Sequence, residues 1–183
     1  MSDYIVDFPV GATNRVSKVT RLGSVVRITD QNYAAVGVKP LYSGMSTLAR
    51  VVKNGSGGTL AAGAACYWDI AGEGPGKEVD GIASVSSNHI PAGFVDPFVA
   101  AAIPDTETFL LWFYGPCQML STTGTAVVNG NPLTLGASGR VDVYDVTSPE
   151  VADTFHYCGR ALAAVASGTA SGTLFRAFAD TRF

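Results

Sequence analysis

The run Thr108–Tyr114, which reads TFLLWFY, constrains the fold more than any other stretch of the chain. Its aromatic and large aliphatic residues favour strands, and it is far shorter than the roughly 20 residues of a membrane-spanning helix. An uncharged run of this length predicts a strand that is buried on both faces. Gly115-Pro116 follows. Because proline fixes φ and cannot donate to a ladder, we expect the chain to bend there before a separate segment, Cys117–Leu120.

Short segments separated by turn-forming residues surround this run. Ser121–Gly124 and Asn129–Pro132 are rich in the Ser, Asn, Gly and Pro that favour turns. Gly139–Asp145 alternates valine with other residues, which is typical of a half-buried strand. His156–Ala166 is expected to be a strand, and Pro149–Thr154 one or two turns of helix. The sequence therefore predicts an all-β fold, a small β-barrel or β-sandwich.

Composition supports a packed core and excludes several classes of partner. Hydrophobic residues make up 47% of the chain and charged residues only 15%, against about 25% in typical soluble domains. A surface with so few charges is typical of a protein that is covered by partners. The net charge of −3 and the lack of any run of Lys or Arg argue against nucleic-acid binding. No apolar stretch is long enough to span a membrane, so no membrane partner is expected.

The first part of the chain differs from the rest. We interpret residues 1–46 as an extended N-terminal arm and residues 47–183 as the β-barrel or sandwich domain. Within the arm, Arg21–Thr29 has the composition of a strand. The first ten residues contain two aspartates and lack the long apolar core of a signal peptide. The arm is expected to reach over neighbouring subunits, and its predicted interface residues are Tyr4, Ile5, Phe8, Pro9 and Val10.

The two halves of the domain resemble each other, which suggests an internal duplication of residues 47–120 and 121–183. Val51–Asp69 and Val127–Asp145 share a Val-Val pair, an Asn-Gly turn and a Thr-Leu step in the same order. Gly93–Phe113 aligns with Gly159–Phe178 if one gap is allowed. The alternative is that β-rich chains of similar composition echo one another. We favour two similar β units.

The residue types needed for catalysis are present, but not in catalytic patterns. His89 and His156 are far apart, and the spacings HxH, HExxH, CxxC and GxSxG are all missing. Asp142 and Asp145 fall on opposite faces of their strand, which disfavours a paired-carboxylate site. We predict no catalytic, cofactor-binding or metal-binding residues, and no enzymatic activity.

The cysteines are odd in number, and we expect all three to be reduced thiols that pack as small hydrophobic side chains. They are Cys66, Cys117 and Cys158. A nucleophilic Cys66 or Cys158 would instead indicate an enzyme. Accessibility of the thiols distinguishes the two interpretations, because a buried structural cysteine does not react.

Five segments follow one another in a distinctive order between Leu48 and Phe178: VVKNGSGGTLAAGAACYWD, HIPAGFVDP, FLLWFYGPCQML, NGNPLTLGASGRV and YCGRALAAV. In this order the chain resembles the small capsid decoration, or cement, proteins of tailed bacteriophages. The resemblance implies a β-barrel or sandwich on the outer face of an icosahedral shell, and no enzymatic activity. It also implies the phage major capsid protein and further copies of the chain as partners. The expected location is the capsid surface of the virion, after synthesis in the host cytoplasm. The long N-terminal arm departs from those proteins.

The leading interpretation is a structural virion protein that binds and stabilises a phage capsid. One alternative is a β-sandwich module that binds carbohydrate or another ligand, since Trp68, Trp112 or Tyr114 could stack on a sugar ring. Aromatic residues within apolar strands more often belong to the core, so the exposure of the two tryptophans discriminates. Another virion part, such as a tail component, is a further alternative.

Overall fold

A computed structural model describes residues 22–29, 46–81, 89–99, 101–122, 126–144, 157–167, 169–170 and 172–181. Over these residues the chain forms ten β-strands and one 3-10 turn, Ala137–Gly139. The strands are β1 Val25–Thr29, β2 Ser46–Asn54, β3 Ala65–Trp68, β4 Glu78–Gly81, β5 Pro91–Val95, β6 Thr108–Leu120, β7 Pro132–Gly136, β8 Arg140–Val143, β9 Tyr157–Ala161 and β10 Leu174–Asp180. The prediction of an all-β fold is confirmed.

Five consecutive strands, β2 to β6, close into a barrel. β2 pairs in parallel with β4, and the antiparallel pairs β4–β3, β3–β5 and β5–β6 continue the ring. The first half of β6 then pairs with β2 and closes it. We call this ring barrel 1. Strand β1 lies outside the ring and pairs antiparallel with β2.

The remaining strands repeat this order. The second half of β6 pairs with β10, and the antiparallel pairs β10–β9, β9–β7 and β7–β8 follow. A parallel bridge between Ser121 and Val141 joins β8 to the chain just beyond β6, and the Thr122 N–H donates to the Val141 carbonyl at 3.0 Å. This second ring, barrel 2, has the same neighbour relations as barrel 1. The fold is thus built from two similar β units.

Strand β6 belongs to both barrels, and the predicted division into two segments at Gly115-Pro116 is wrong. β6 runs without a break through both residues; β2 pairs with it up to Tyr114, and β10 pairs with it from Tyr114 onward. The proline is tolerated because the β2 ladder has ended there, and its carbonyl accepts a 2.7 Å hydrogen bond from Thr47 Oγ1. Gly115 has a φ of 107°, and a Cβ at this position would lie 2.7 Å from the Ser46 carbonyl oxygen. Glycine is therefore needed where β6 crosses β2.

The first half of β6 is buried on both faces, as predicted for the run Thr108–Tyr114, except at its first and its last two residues, which are partly buried. Successive side chains point to opposite faces of a strand. Phe109 and Leu111 accordingly pack in a core inside barrel 1, whereas Leu110 and Trp112 belong to a larger core that extends into barrel 2. One strand therefore contributes to both hydrophobic cores.

The two barrels match at a pair of strained glycines. Gly93 in β5 and Gly159 in β9 have φ values of 150° and 153°. A Cβ would collide with a carbonyl oxygen of the neighbouring strand in each case, that of Trp112 in barrel 1 and that of Phe178 in barrel 2. The alignment of Gly93 with Gly159 expected from the sequence agrees with this geometry.

The other expected alignment, Val51–Asp69 with Val127–Asp145, is out of register. It equates β3 with β8, whereas the strand pairings equate β3 with β7. The alignment equated two Asn-Gly steps that lie at opposite ends of the corresponding loop, at the end of β2 in barrel 1 and just before β7 in barrel 2. In the observed register Gly63 corresponds to Gly130, since their N–H groups donate to the carbonyls of Val95 in β5 and Ala161 in β9.

Two further sequence predictions can be compared with the structure. The strand expected within Arg21–Thr29 is β1, and the strand expected within His156–Ala166 is β9. The helical turns predicted at Pro149–Thr154 lie outside the described residues. The three cysteines are buried, as predicted, and none forms a disulfide.

We expect Trp112→Ala to lower the free energy of unfolding by about 3–5 kcal/mol, because it removes a large side chain and leaves a cavity. Trp112 is 1% exposed. Chemical denaturation of the variant and the parent measures the difference. Val128→Ala, at a position 59% exposed, is the control and should change stability by less than about 0.5 kcal/mol. A Trp112→Ala variant as stable as the parent would contradict the burial of β6.

Gly93→Ala should destabilise the protein by about 2–5 kcal/mol, because it combines an unfavourable φ with a collision against backbone. The added Cβ would lie 2.6 Å from the Trp112 carbonyl oxygen. Gly57→Ala is the matched control: φ is 68° there, but no atom lies within 4 Å of the Cβ position. It should cost only about 1–2 kcal/mol. Equal losses in the two variants would show that β5 and β6 are not in close contact at Gly93.

Candidate functional site

The interface residues predicted from the sequence, Tyr4, Ile5, Phe8, Pro9 and Val10, lie outside the described residues. The structure does describe how the arm is attached to barrel 1. Its strand β1 pairs with the first half of β2, from Val25 opposite Arg50 to Thr29 opposite Ser46. The described part of the arm therefore begins at Leu22, just before β1.

Attachment of the arm depends on apolar burial as well as on the ladder. Val26 and Ile28 are 1% and 3% exposed and belong to the larger core, against which Leu22 also packs. Two fully buried aliphatic side chains contribute about 1.5–3 kcal/mol each. This part of the arm is thus an integral part of the fold.

A cation between two aromatic rings lies on the strands next to this attachment. The Arg50 guanidinium carbon is 5.5 Å from the centroid of the Trp68 ring and 5.3 Å from that of Phe113. Both distances are within the roughly 6 Å over which a cation is attracted to an aromatic face. Since side chains alternate along a strand, the three residues point to the same side as the barrel-1 core. We call Arg50, Trp68 and Phe113 the Arg50 cluster.

The guanidinium of this cluster lacks a polar partner among the residues that the structure describes. Arg50 Nε is buried and makes no hydrogen bond. Among the described residues no ion pair to Arg50 is found either, and burial lowers the pKa of the guanidinium below its usual value. A buried donor without an acceptor is destabilising, so the cluster favours a ligand that supplies a negatively charged oxygen.

The same positions in barrel 2 are apolar. Strand register equates Arg50 with Cys117, Trp68 with Leu135 and Phe113 with Ala179. The three barrel-2 residues are at most 4% exposed. Because barrel 2 has apolar side chains at these positions, the fold itself does not require a cation there. The Arg50 cluster is therefore a property of barrel 1 alone.

The loop of residues 69–77, between β3 and β4, borders the cluster and is held in place by Glu78. This buried carboxylate accepts a hydrogen bond from the Glu73 N–H and forms an ion pair with Lys53, whose Nζ lies 2.9 Å from Oε1. Both contacts lower the pKa of Glu78 below its usual value, and the hydrogen bond from the Glu73 N–H has the larger effect. At the other end of the loop, a Cβ on Gly76 would lie 3.1 Å from Arg50 Nη1.

The rim of this barrel end carries exposed apolar side chains. Ile70 is 66% exposed and follows Trp68 by two residues in the bordering loop. Ile90 is 45% exposed, and its carbonyl accepts a hydrogen bond from the Trp68 N–H at 3.0 Å. Arg and Trp are among the residue types that dominate binding energy at protein interfaces. A partly buried cation with an apolar rim is thus suited to a protein partner.

Residues considered for other chemistry do not form a site. Burial raises the pKa of the thiols of Cys66, Cys117 and Cys158 well above its usual value, which makes each a poor nucleophile. Trp112 is in the core and unavailable to a sugar ring, whereas Trp68 is half-buried beneath Arg50. Over the described parts of the chain, no three His, Cys, Asp or Glu side chains are grouped so that they could hold a metal ion. Those parts of the chain also contain no helix that is long and apolar enough to cross a membrane.

The Arg50 cluster was not predicted from the sequence. Arg50 stands in TLARVVK, where a charged residue in an apolar strand indicates either an exposed position or a buried site. Its aromatic neighbours come from β3 and β6, far away in the sequence. Only the strand register brings them together.

Known proteins resemble this chain in structure but not detectably in sequence. No protein-family model and no curated protein matches the chain. Among solved structures, the chain is similar to the head fiber gp8.5 N base in bacteriophage phi29, with 16% sequence identity and a TM-score of 0.44. The match covers 74% of this chain and 95% of that one. A similarity at this level assigns no function.

Glu78→Gln should make stability less dependent on acid pH. A carboxyl whose pKa is lowered by folding stabilises the native state above its unfolded pKa, and this contribution is lost as the pH falls through the folded value. The parent should therefore lose stability relative to the variant below about pH 4.5, the ordinary pKa of the group. Urea unfolding of both proteins between pH 7 and pH 3 tests this. Parallel stability curves would show that the Glu78 contacts contribute nothing.

Proposed function

We propose that the chain is a structural protein of a bacteriophage virion, which binds the outer surface of the capsid and stabilises it. In this proposal its partners are the phage major capsid protein and further copies of itself. It acts without a cofactor, catalysis, nucleic acid or a membrane.

The observation that supports this proposal most is the order of the five segments that resemble phage decoration proteins. In the structure these segments are consecutive parts of the two barrels: β2 to β3, then β5, then β6, then β7 to β8, then β9. The central segment, FLLWFYGPCQML, is the strand that both barrels share. The resemblance thus involves the residues that build the fold and not only its turns.

Other features favour a binding surface over an enzyme or a sugar-binding module. The thiols that an enzyme would use are buried, and Trp112 is in the core. The low charge content and the exposed apolar rim of barrel 1 suit a protein that is covered by partners. A virion protein needs such surfaces and no reaction centre.

Deleting residues 1–10 should weaken attachment to capsids while leaving the barrels folded. The deleted segment contains Tyr4, Ile5, Phe8 and Pro9, and the described attachment of the arm begins only at Leu22. Capsids of the phage that encodes the chain, prepared without this protein, are mixed with the full or truncated chain and sedimented. Thermal unfolding of the truncated chain is the control for folding.

We expect the full chain to sediment with capsids and the truncated chain to need at least about tenfold more protein for the same occupancy. Failure of the full chain to bind would contradict the proposed function. Equal binding of both chains would contradict the role of the arm only.

A further inference from the structure

The Arg50 cluster contains a half-buried cation that lies close to two aromatic rings and has no anionic partner in the described ranges of the chain. We propose that it is a carboxylate-binding site, and that its ligand is an aspartate of the segment Asp3–Phe8 in a second copy of the chain. The inference specifies the self-association contact of the proposed function and rests on that proposal.

The chemistry of the cluster favours a carboxylate. A guanidinium presents its N–H donors in a planar fork that matches the two oxygens of a carboxylate. The Trp68 and Phe113 rings, whose centroids lie 5.5 Å and 5.3 Å from the guanidinium carbon, limit the positions that Arg50 can take. Partial burial also makes the charge interaction stronger than it would be in water.

The surroundings of the cluster favour a peptide segment over a small free acid. Ile70 and Ile90 leave apolar surface exposed beside Trp68. A small carboxylate would pair with the guanidinium but would leave these side chains in water. A ligand that carries a large apolar side chain next to its carboxylate covers both.

The segment Asp3–Phe8 has this composition. Asp3 and Asp7 are the acidic residues among residues 1–21, and each is followed directly by an aromatic residue, Tyr4 and Phe8. Each Asp–aromatic pair combines the anion that Arg50 lacks with the apolar side chain that the rim would bury.

The attachment of the arm lies beside the site. A Cβ on Gly23 would be 3.3 Å from the Gly76 carbonyl oxygen, and Gly76 in turn borders Arg50. About 15 residues separate Asp7 from this point, and an extended chain of that length reaches up to about 50 Å. Because the attachment point of the arm and the site are neighbours in each copy, two copies related by a two-fold axis can exchange arms and form two identical contacts.

A charge exchange tests the contact in the full chain. Arg50→Glu and the double variant Asp3→Lys, Asp7→Lys are each expected to self-associate at least about tenfold more weakly than the parent in sedimentation experiments. In a mixture, the glutamate at position 50 meets lysines, and the native Arg50 of the other variant meets native aspartates. The mixture should therefore recover parental association. Arg160→Glu changes the net charge equally at an exposed position of barrel 2, and should associate like the parent.

Recovery in the mixture also shows that Arg50→Glu is folded, since a misfolded chain could not contribute its arm and site. The inference is overturned if the parent remains monomeric at high concentration, if Arg50→Glu associates like the parent, or if the mixture recovers nothing. All these measurements are made without capsids. A parent that self-associates through Arg50 but does not bind capsids would contradict the proposed function and leave this contact standing.

Discussion

The structure depends on one strand, β6, whose two faces pack in two hydrophobic cores and whose two halves belong to two barrels. β6 supplies Phe109 and Leu111 to the core of barrel 1, and Leu110 and Trp112 to the larger core. Its first half closes one ring of strands and its second half begins the next. Hydrophobic burial and backbone pairing are thus concentrated in the same residues. Damage to β6 therefore affects both barrels, and neither barrel has a core of its own that excludes this strand.

Sequence reasoning identified this strand because its signal is local. A run of large apolar and aromatic residues is buried whatever it packs against, and alternation along Arg140–Val143 likewise depends only on neighbours in sequence. The predicted division into two segments at Gly115-Pro116 was wrong because the effect of a proline depends on the ladder beside it. The β2 ladder ends at Tyr114, two residues before Pro116, so a missing donor on that edge of β6 is tolerated. That information is tertiary.

The candidate site could not be predicted from neighbouring residues in the sequence, because it too depends on tertiary contacts. Arg50, Trp68 and Phe113 come from three strands, and nothing in TLARVVK indicates two aromatic neighbours. The internal repeat carries more information once its register is known. Positions that are alike in the two barrels, such as Gly93 and Gly159, are required by the backbone. Positions that differ, such as Arg50 and Cys117, are free to serve function.

The arrangement of the two rings along the chain has a consequence for synthesis. All strands of barrel 1 precede Gly115, so its ring can close while barrel 2 is still being translated, and domains generally fold N-terminal part first. The growing chain then leaves the finished barrel as the second half of β6, already extended from a folded strand. Later strands add to this template instead of having to nucleate a sheet anew. The order in which the strands are synthesised therefore matches the order in which the two barrels can form.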